Sequence, residues 1–416
     1  MFGIKTYLKN QYQAWLQKSL QKKHFPQKPV STIKQILILH HLKIKLKTEA
    51  EATSIEAPIV PTANPASTKI FQKLTRYNPN NLGNWFSDQD PLFTCQKIEN
   101  LVIHQLIDLY QGSKNELDGN INSGSTESNI TACWMGREYL KKRISSDKKI
   151  CLLTTDLSHY SIDKATRLTD LKKCTVGINR ENWNMDIEAL THKINQLASD
   201  NYEGFIINLT YGYTMTGAVD DMPGINQALQ KLKKSNPSLQ FFGWIDAAFS
   251  GIITPFVEDF RPFQYKFIKL FNTDYHKFAG VHYPAGVVLF RKELRSLIEK
   301  QVAYMPQNDS TLLGSRPGLN ALAIWLTNLE FGKKKFKETI NRCIERKHKF
   351  IKSLNPDLKV VTAKNSVQAG IIIKNKQDLK KVNRLRLNPN TYKIQFAQKA
   401  KPANIKIAKV YFLPNY

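Results

Sequence analysis

Phe241-Phe242-Gly243-Trp244-Ile245 runs directly into Asp246-Ala247-Ala248-Phe249-Ser250-Gly251. A short, unbroken, aromatic-rich apolar run reads as a strand buried on both faces. Similar runs lie at residues 149–153, 204–209, 267–271 and 285–290, separated by helical or loop segments. This alternation predicts an α/β fold with a mainly parallel central sheet covered by helices. In such sheets ligands sit at the carboxyl ends of the strands. Asp246 follows its strand at once and Lys277 follows the 267–271 run closely, so both are expected to project into one crevice.

An amine and a carboxylate in one crevice have a specific use. A lysine can hold an aldehyde cofactor as a Schiff base while an aspartate keeps a pyridine nitrogen protonated. Taken singly, one lysine among 61 basic residues is ordinarily a solvated surface group, and Asp246 is equally a capping residue. Gly124-Ser125-Thr126-Glu127-Ser128-Asn129 precedes a helical stretch. Its N–H groups, hydroxyls and positive dipole end suit a phosphate monoester, and the same pattern makes an ordinary N-cap. His159, beyond the 149–153 run, can stack on a planar cofactor or serve structure alone, and His276 alone reads as a surface group.

The 416 residues suffice for one large domain with a smaller appendage. Hydrophobic content of 42% and aromatic content of 10% are values of a folded chain, which excludes a wholly disordered one. Five dispersed cysteines form no CxxC or Cys/His cluster, so reduced thiols, no metal site and a cytoplasmic location are expected. No secretory or membrane-spanning segment is apparent.

The net charge is +27, and residues 1–48 carry ten lysines with no Asp or Glu. Ile33 to Leu46 interleaves Ile and Leu with lysine, a pattern for a basic amphipathic helix on anionic membrane or RNA. A lysine-rich solvated face explains it equally, since the surplus continues through the C-terminal third. Residues 48–68 are rich in Ala, Pro, Ser and Thr and read as a linker. The expected organisation is a basic extension and linker over 1–68, a large domain over 69–320, and a small C-terminal α+β domain over 321–416.

Over roughly residues 77–330 the chain resembles the pyridoxal-phosphate-dependent group II amino-acid decarboxylases, particularly the histidine decarboxylase branch. Gly124 to Asn129 is similar to Gly-Gly-Thr-Glu-Gly-Asn, Asp156 to Ser161 to Thr-His-Tyr-Ser, and Thr214 to Asp221 to Thr-x-x-Gly-Ala-x-Asp-Asp. Asp246 to Gly251 is similar to Asp-Ala-Ala-x-Ser-Gly, His276-Lys277 to the cofactor-lysine dipeptide, and Gly314 to Gly318 to Gly-Ser-Arg-Asn-Gly. Six matches in order are too many for coincidence.

The resemblance implies fold type I, the aminotransferase-like architecture of PLP-dependent transferases, with pyridoxal 5′-phosphate as cofactor. It implies decarboxylation of a small-molecule L-amino acid, histidine-like or other, to the amine and CO2, in a homodimer whose Thr311 region crosses the interface. Lys277 would be the Schiff-base lysine, Asp246 the partner of the pyridine nitrogen, His159 the stacking ring and Ala248 the packing group opposite. Ser125 and Thr126 would hold the phosphate with help from His276, and Tyr304 would donate a proton to the substrate carbon. The chain departs from the pattern at Asp274, where Ser or Asn is usual, at Trp244 for His, at Tyr275 for Gly, and at Thr210-Tyr211-Gly212-Tyr213. An acidic group at 274 would repel a phosphate unless a neighbouring cation compensates or Thr273 serves instead. Two other readings stand beside this one. They are another PLP lyase on the same fold, and a catalytically impaired relative that binds membrane or RNA through residues 1–48.

Overall fold

The computed structural model describes residues 31–51, 63–83, 94–303, 308–385, 393–400 and 405–414. The chain divides into two units, Met1–Ala57 and Pro58–Tyr416. In the first, helix α1 spans Thr32–Glu51. The helix is as expected, but it is not amphipathic. Ile36, Leu37, Ile38 and Leu39 are consecutive, and four successive residues at about 100° apart sweep most of the circumference. Among the described residues no helix is long and apolar enough to cross a membrane.

The second unit opens with α2 (Pro65–Leu74), β1 (Asn80–Leu82) and α3 (Thr94–Leu109). Asn64, inside the stretch read as linker, is fully buried. Its side chain accepts from Ser67 N at 2.8 Å, capping α2, and its Nδ2 donates to Ala279 O at 2.7 Å. Residues just before α2 are thereby tied to the loop that follows Lys277.

The main sheet is built from β2 (Leu117–Asn122), β3 (Lys149–Thr155), β4 (Lys172–Val176), β5 (Tyr202–Thr210), β6 (Gln240–Asp246), β7 (Ile268–Asp274) and β8 (Gly286–Arg291). Its order is β2-β8-β7-β6-β5-β3-β4. The pairings β7–β6–β5–β3–β4 are parallel, and β8 runs antiparallel to both β7 and β2. The carboxyl ends of β2, β3, β5, β6 and β7 therefore lie along one edge. Helices α4 (Ser125–Lys141), α5 (Ser161–Leu168), α6 (Ile187–Ser199) and α7 (Met222–Ser235) connect them, and the short α8 (Arg295–Ile298) follows β8.

Strand alternation sorts the core into two layers. Phe205, Ile207 and Ile245 pack with Val102 and Leu106 of α3 and Leu229 of α7, whereas Ile206, Phe242 and Trp244 pack with Met135 and Leu140 of α4. Trp244 and Tyr275, two departures from the family pattern, are fully buried. They belong to the core and do not line the cavity described below.

After β9 (Ser315–Pro317), which pairs with β1, helix α9 spans Gly318–Ser353 and kinks at Gly332, where φ is 55°. It runs across residue 320, so the expected domain boundary falls within one element. The last elements are β10 (Val360–Val361), β11 (Gln368–Ile373), α10 (Lys376–Leu385), β12 (Lys393–Ala400) and β13 (Ile405–Tyr411). Their strands form an antiparallel sheet in the order β10-β11-β13-β12.

Candidate active site

A cavity of about 480 Å³ opens at the carboxyl edge of the main sheet. Ser125, Thr126, His159, Asp246, Ala248, His276 and Lys277 all line it. These residues come from four separate stretches of sequence, and the parallel topology brings them together because each stretch lies at or just after a strand end on one edge. Tyr304 lies outside the described residues. Thr311 is not among the lining residues; its N–H and Oγ1 bond Asp309 Oδ1 at 2.8 and 2.6 Å.

Asp246 ends β6 and is 5% exposed. Its Oδ2 accepts from Asn129 Nδ2 at 2.8 Å, and its Oδ1 accepts from Ala248 N at 3.1 Å and Asn272 Nδ2 at 3.2 Å. Three donors from α4, β7 and the following turn fix the carboxylate in one orientation. Asn129 also donates to Ser161 Oγ, which lies 2.8 Å from His159 Nδ1, and Ser161 N donates to the same nitrogen at 3.3 Å. With Nδ1 an acceptor, Nε2 carries the proton of the neutral ring. Burial pushes the His159 pKa down, and the charge of Asp246 opposes that shift only in part. A neutral imidazole is the form suited to stacking on an aromatic ring.

The turn before α4 needs glycine. Gly124 has φ of 111°, and a Cβ there would meet His276 Cε1 at 2.8 Å. Helix α4 is not capped by its own hydroxyls. Asp274 Oδ1, at the end of β7, accepts from Ser125 N at 2.8 Å and from Ser125 Oγ at 2.9 Å. Its Oδ2 lies 3.2 Å from Lys277 Nζ and 3.6 Å from His276 Nε2. The compensating cation is therefore Lys277. Thr273 offers no substitute, because it projects from the opposite face of β7 against Gly251. His276 is buried, which pushes its pKa down, and its Nδ1 lies 2.9 Å from Ala285 O.

Within the Thr214–Asp221 match, Thr214 lines the cavity and the two aspartates serve structure. Asp220 accepts from Thr210 N and Met185 N, each at 2.7 Å, and from the Tyr213 hydroxyl, which pins the end of β5. Asp221 caps α7 through Gly224 N at 3.0 Å. Arg316, from the Gly-Ser-Arg match, is 3% exposed and forks onto the Glu99 carboxylate while donating to Ile121 O at 2.6 Å.

Three residues of the small sheet complete the cavity wall, and sequence reasoning missed them: Gln368 on β11 and Lys409 and Tyr411 on β13. Tyr411 donates to Thr214 O at 3.1 Å. The Gln368 side chain is buried beside the Tyr411 hydroxyl, with which its amide interacts. Burial, with the positive charge of Lys277, lowers the Lys409 pKa to about 8. A lone basic residue in a strand gives no periodic signal, so nothing in the sequence distinguished Lys409 from the other lysines.

The family model described as "Pyridoxal-dependent decarboxylase conserved domain" matches residues 81–376. A tryptophan decarboxylase of Clostridium sporogenes is 31% identical over 285 residues, covering 67% of each chain. A histidine decarboxylase of Morganella morganii is 28% identical over 278 residues, covering 66% of this chain and 70% of its own. Among solved structures, an L-methionine decarboxylase from Streptomyces sp. 590 superposes with a TM-score of 0.73 at 16% identity, covering 95% of this chain and 94% of that one. A glutamate decarboxylase of Lactobacillus brevis gives 0.76 at 13% identity, covering 94% and 90%. At such identities the likeness speaks to fold alone: that of the fold type I PLP-dependent enzymes.

Proposed function

The chain belongs to the pyridoxal-dependent decarboxylase family, and from that premise we propose that it releases CO2 from an L-amino acid whose side chain carries a hydrogen-bond acceptor, a carboxylate before others. The single observation that carries the reaction is the convergence of Lys277, Asp246, His159 and Ala248 on one cavity. The enzyme class, a PLP-dependent carboxy-lyase, follows from the family; the substrate is the proposed part.

The residues fit the cofactor at its ring. A buried, triply bonded carboxylate and a reachable amine stand in one cavity, and the Gly124 turn leaves a cradle that a Cβ would fill. Ser125, Thr126 and His276 would hold the phosphate, with Asp274 already bonded to Ser125 there. When bound, the cofactor supplies an electrophilic carbonyl and a ring that accepts the electron pair left as the Cα–carboxylate bond breaks.

Asp246 favours a protonated pyridine nitrogen by opposite-charge stabilisation. Lys277 must leave its ion pair with Asp274 Oδ2, at 3.2 Å, as a neutral amine before it can act as a nucleophile. His159 presents a neutral face. Lys277, which lines the cavity, would supply a proton to the former α-carbon, with Tyr304 as the proposed second donor.

Two features support the acceptor-bearing side chain. Lys409 and the Gln368 amide both line the cavity, and a buried ammonium left without an acceptor costs about 1–3 kcal/mol or more. A cation clamping the departing carboxylate would favour the bound substrate over the transition state, so Lys409 is better matched to a side-chain acceptor. The test is CO2 release over a panel of L-amino acids. Turnover of acidic substrates above histidine and tryptophan, reduced about tenfold or more in Lys409→Met, is expected. Preference for histidine or tryptophan, unchanged in Lys409→Met, would overturn the substrate assignment.

A further inference from the structure

We infer that the Asp274 carboxylate is a built-in occupant of the phosphate cradle, and that it weakens this protein's preference for the phosphorylated over the unphosphorylated form of the cofactor. The inference rests on the reading of the cavity as a PLP site and deepens it.

Ser125, one of the residues that a phosphate would use at the start of α4, is already engaged. Ser125 gives both its N–H and its hydroxyl to Asp274 Oδ1, and Asn272 Nδ2 fixes that hydroxyl from 2.9 Å. Lys277 and His276 flank the other carboxylate oxygen. Asp274 is 2% exposed and its backbone is pinned, with its N–H donating to Ala248 O at 3.0 Å. The carboxylate thus stands where a strand end meets a helix N-terminus, held by hydrogen bonds on one oxygen and a cation on the other. It is an anion in an anion site. A phosphate dianion entering the same cradle must take Ser125 from Asp274 and sit beside a second negative charge, in a region of low effective dielectric where that repulsion is large. The Gly124 cradle has little slack, because His276 closes it from one side. The pyridine ring meets no such competition, since none of Asp246, His159 and Ala248 bonds to Ser125, and Asp246 keeps Asn129 and Ala248 as donors besides the Asn272 amide.

The test compares pyridoxine 5′-phosphate with pyridoxine, measured by calorimetric titration of the full-length chain. Neither ligand carries an aldehyde, so chemistry at Lys277 does not enter, and the ratio of the two dissociation constants isolates the phosphate. Charge-assisted hydrogen bonds at a phosphate left free to form would each strengthen binding by about tenfold or more. In Asp274→Asn and Asp274→Ser the preference for the phosphorylated ligand is expected to widen by about tenfold or more over the wild type. A preference that stays the same or narrows in both variants would overturn the inference. Should the variants fail to fold, the wild type decides: a preference below about tenfold supports the inference, and one above about a hundredfold contradicts it. Failure of the parent reading looks different, because neither ligand would then bind at all.

Discussion

Asp246 and Lys277 could be found in the sequence because they fall in order among the motifs of a family, while their neighbours in the cavity could not. Among 61 basic residues Lys277 stands out only through the ordered resemblance around it, from Gly124–Asn129 to Gly314–Gly318. Asn129 and Asn272, which aim that carboxylate, and Lys409, which faces it from the small sheet, are polar residues whose use depends on contacts far apart in sequence. Asp274 was visible as an anomaly. Its capture of Ser125 required coordinates. Lys409 also carries a pH dependence whose sign follows from burial. Its folded pKa, about 8, lies below the ordinary lysine value, so the ammonium is present below that pH and is lost as pH rises through it. Binding of an acidic substrate should weaken above about pH 8, and Lys409→Met should flatten that limb; a profile identical in the two proteins would remove Lys409 from substrate binding.

At the scale of elements, the apolar runs at 149–153, 204–209, 241–245, 267–271 and 285–290 all lie within or overlap observed strands, each in the main sheet. Strand β2 escaped notice for a physical reason. Its sequence Leu-Asp-Gly-Asn-Ile-Asn is half polar yet wholly buried, because Asp118 meets Arg295, Asn122 donates to Ser128, and Ile121 N donates to Glu99. Strand β4 begins with exposed lysines and gave no apolar run. The β2 end also sets the Gly124 turn, and the Glu99–Arg316 pair holds it at Ile121. Removing one partner of a buried pair leaves an uncompensated charge and costs about 3–5 kcal/mol. Arg316→Ala should therefore lower unfolding stability by that amount in a denaturant titration and weaken cofactor binding through the displaced turn. Stability within about 0.5 kcal/mol of the wild type would show that the pair does not support β2.

For the whole molecule, the large α/β body was legible because its strands are apolar and its helices periodic, whereas the linker reading extended too far into Asn64 and α2, whose bonds are to residues more than 200 positions away. We propose a homodimer in which the Thr311 region meets the second copy's cavity, as the family resemblance implies. Sedimentation should return twice the chain mass, and a monomer active at catalytic concentrations would refute it. The central claim is that Lys277 carries the cofactor in a cavity built by Asp246, His159 and the Gly124 turn. Borohydride reduction of the protein incubated with pyridoxal 5′-phosphate, followed by peptide mass mapping, tests it most directly. The adduct is expected on the peptide containing Lys277 and absent from Lys277→Ala; an adduct spread over surface lysines, and unchanged in that variant, would contradict the account.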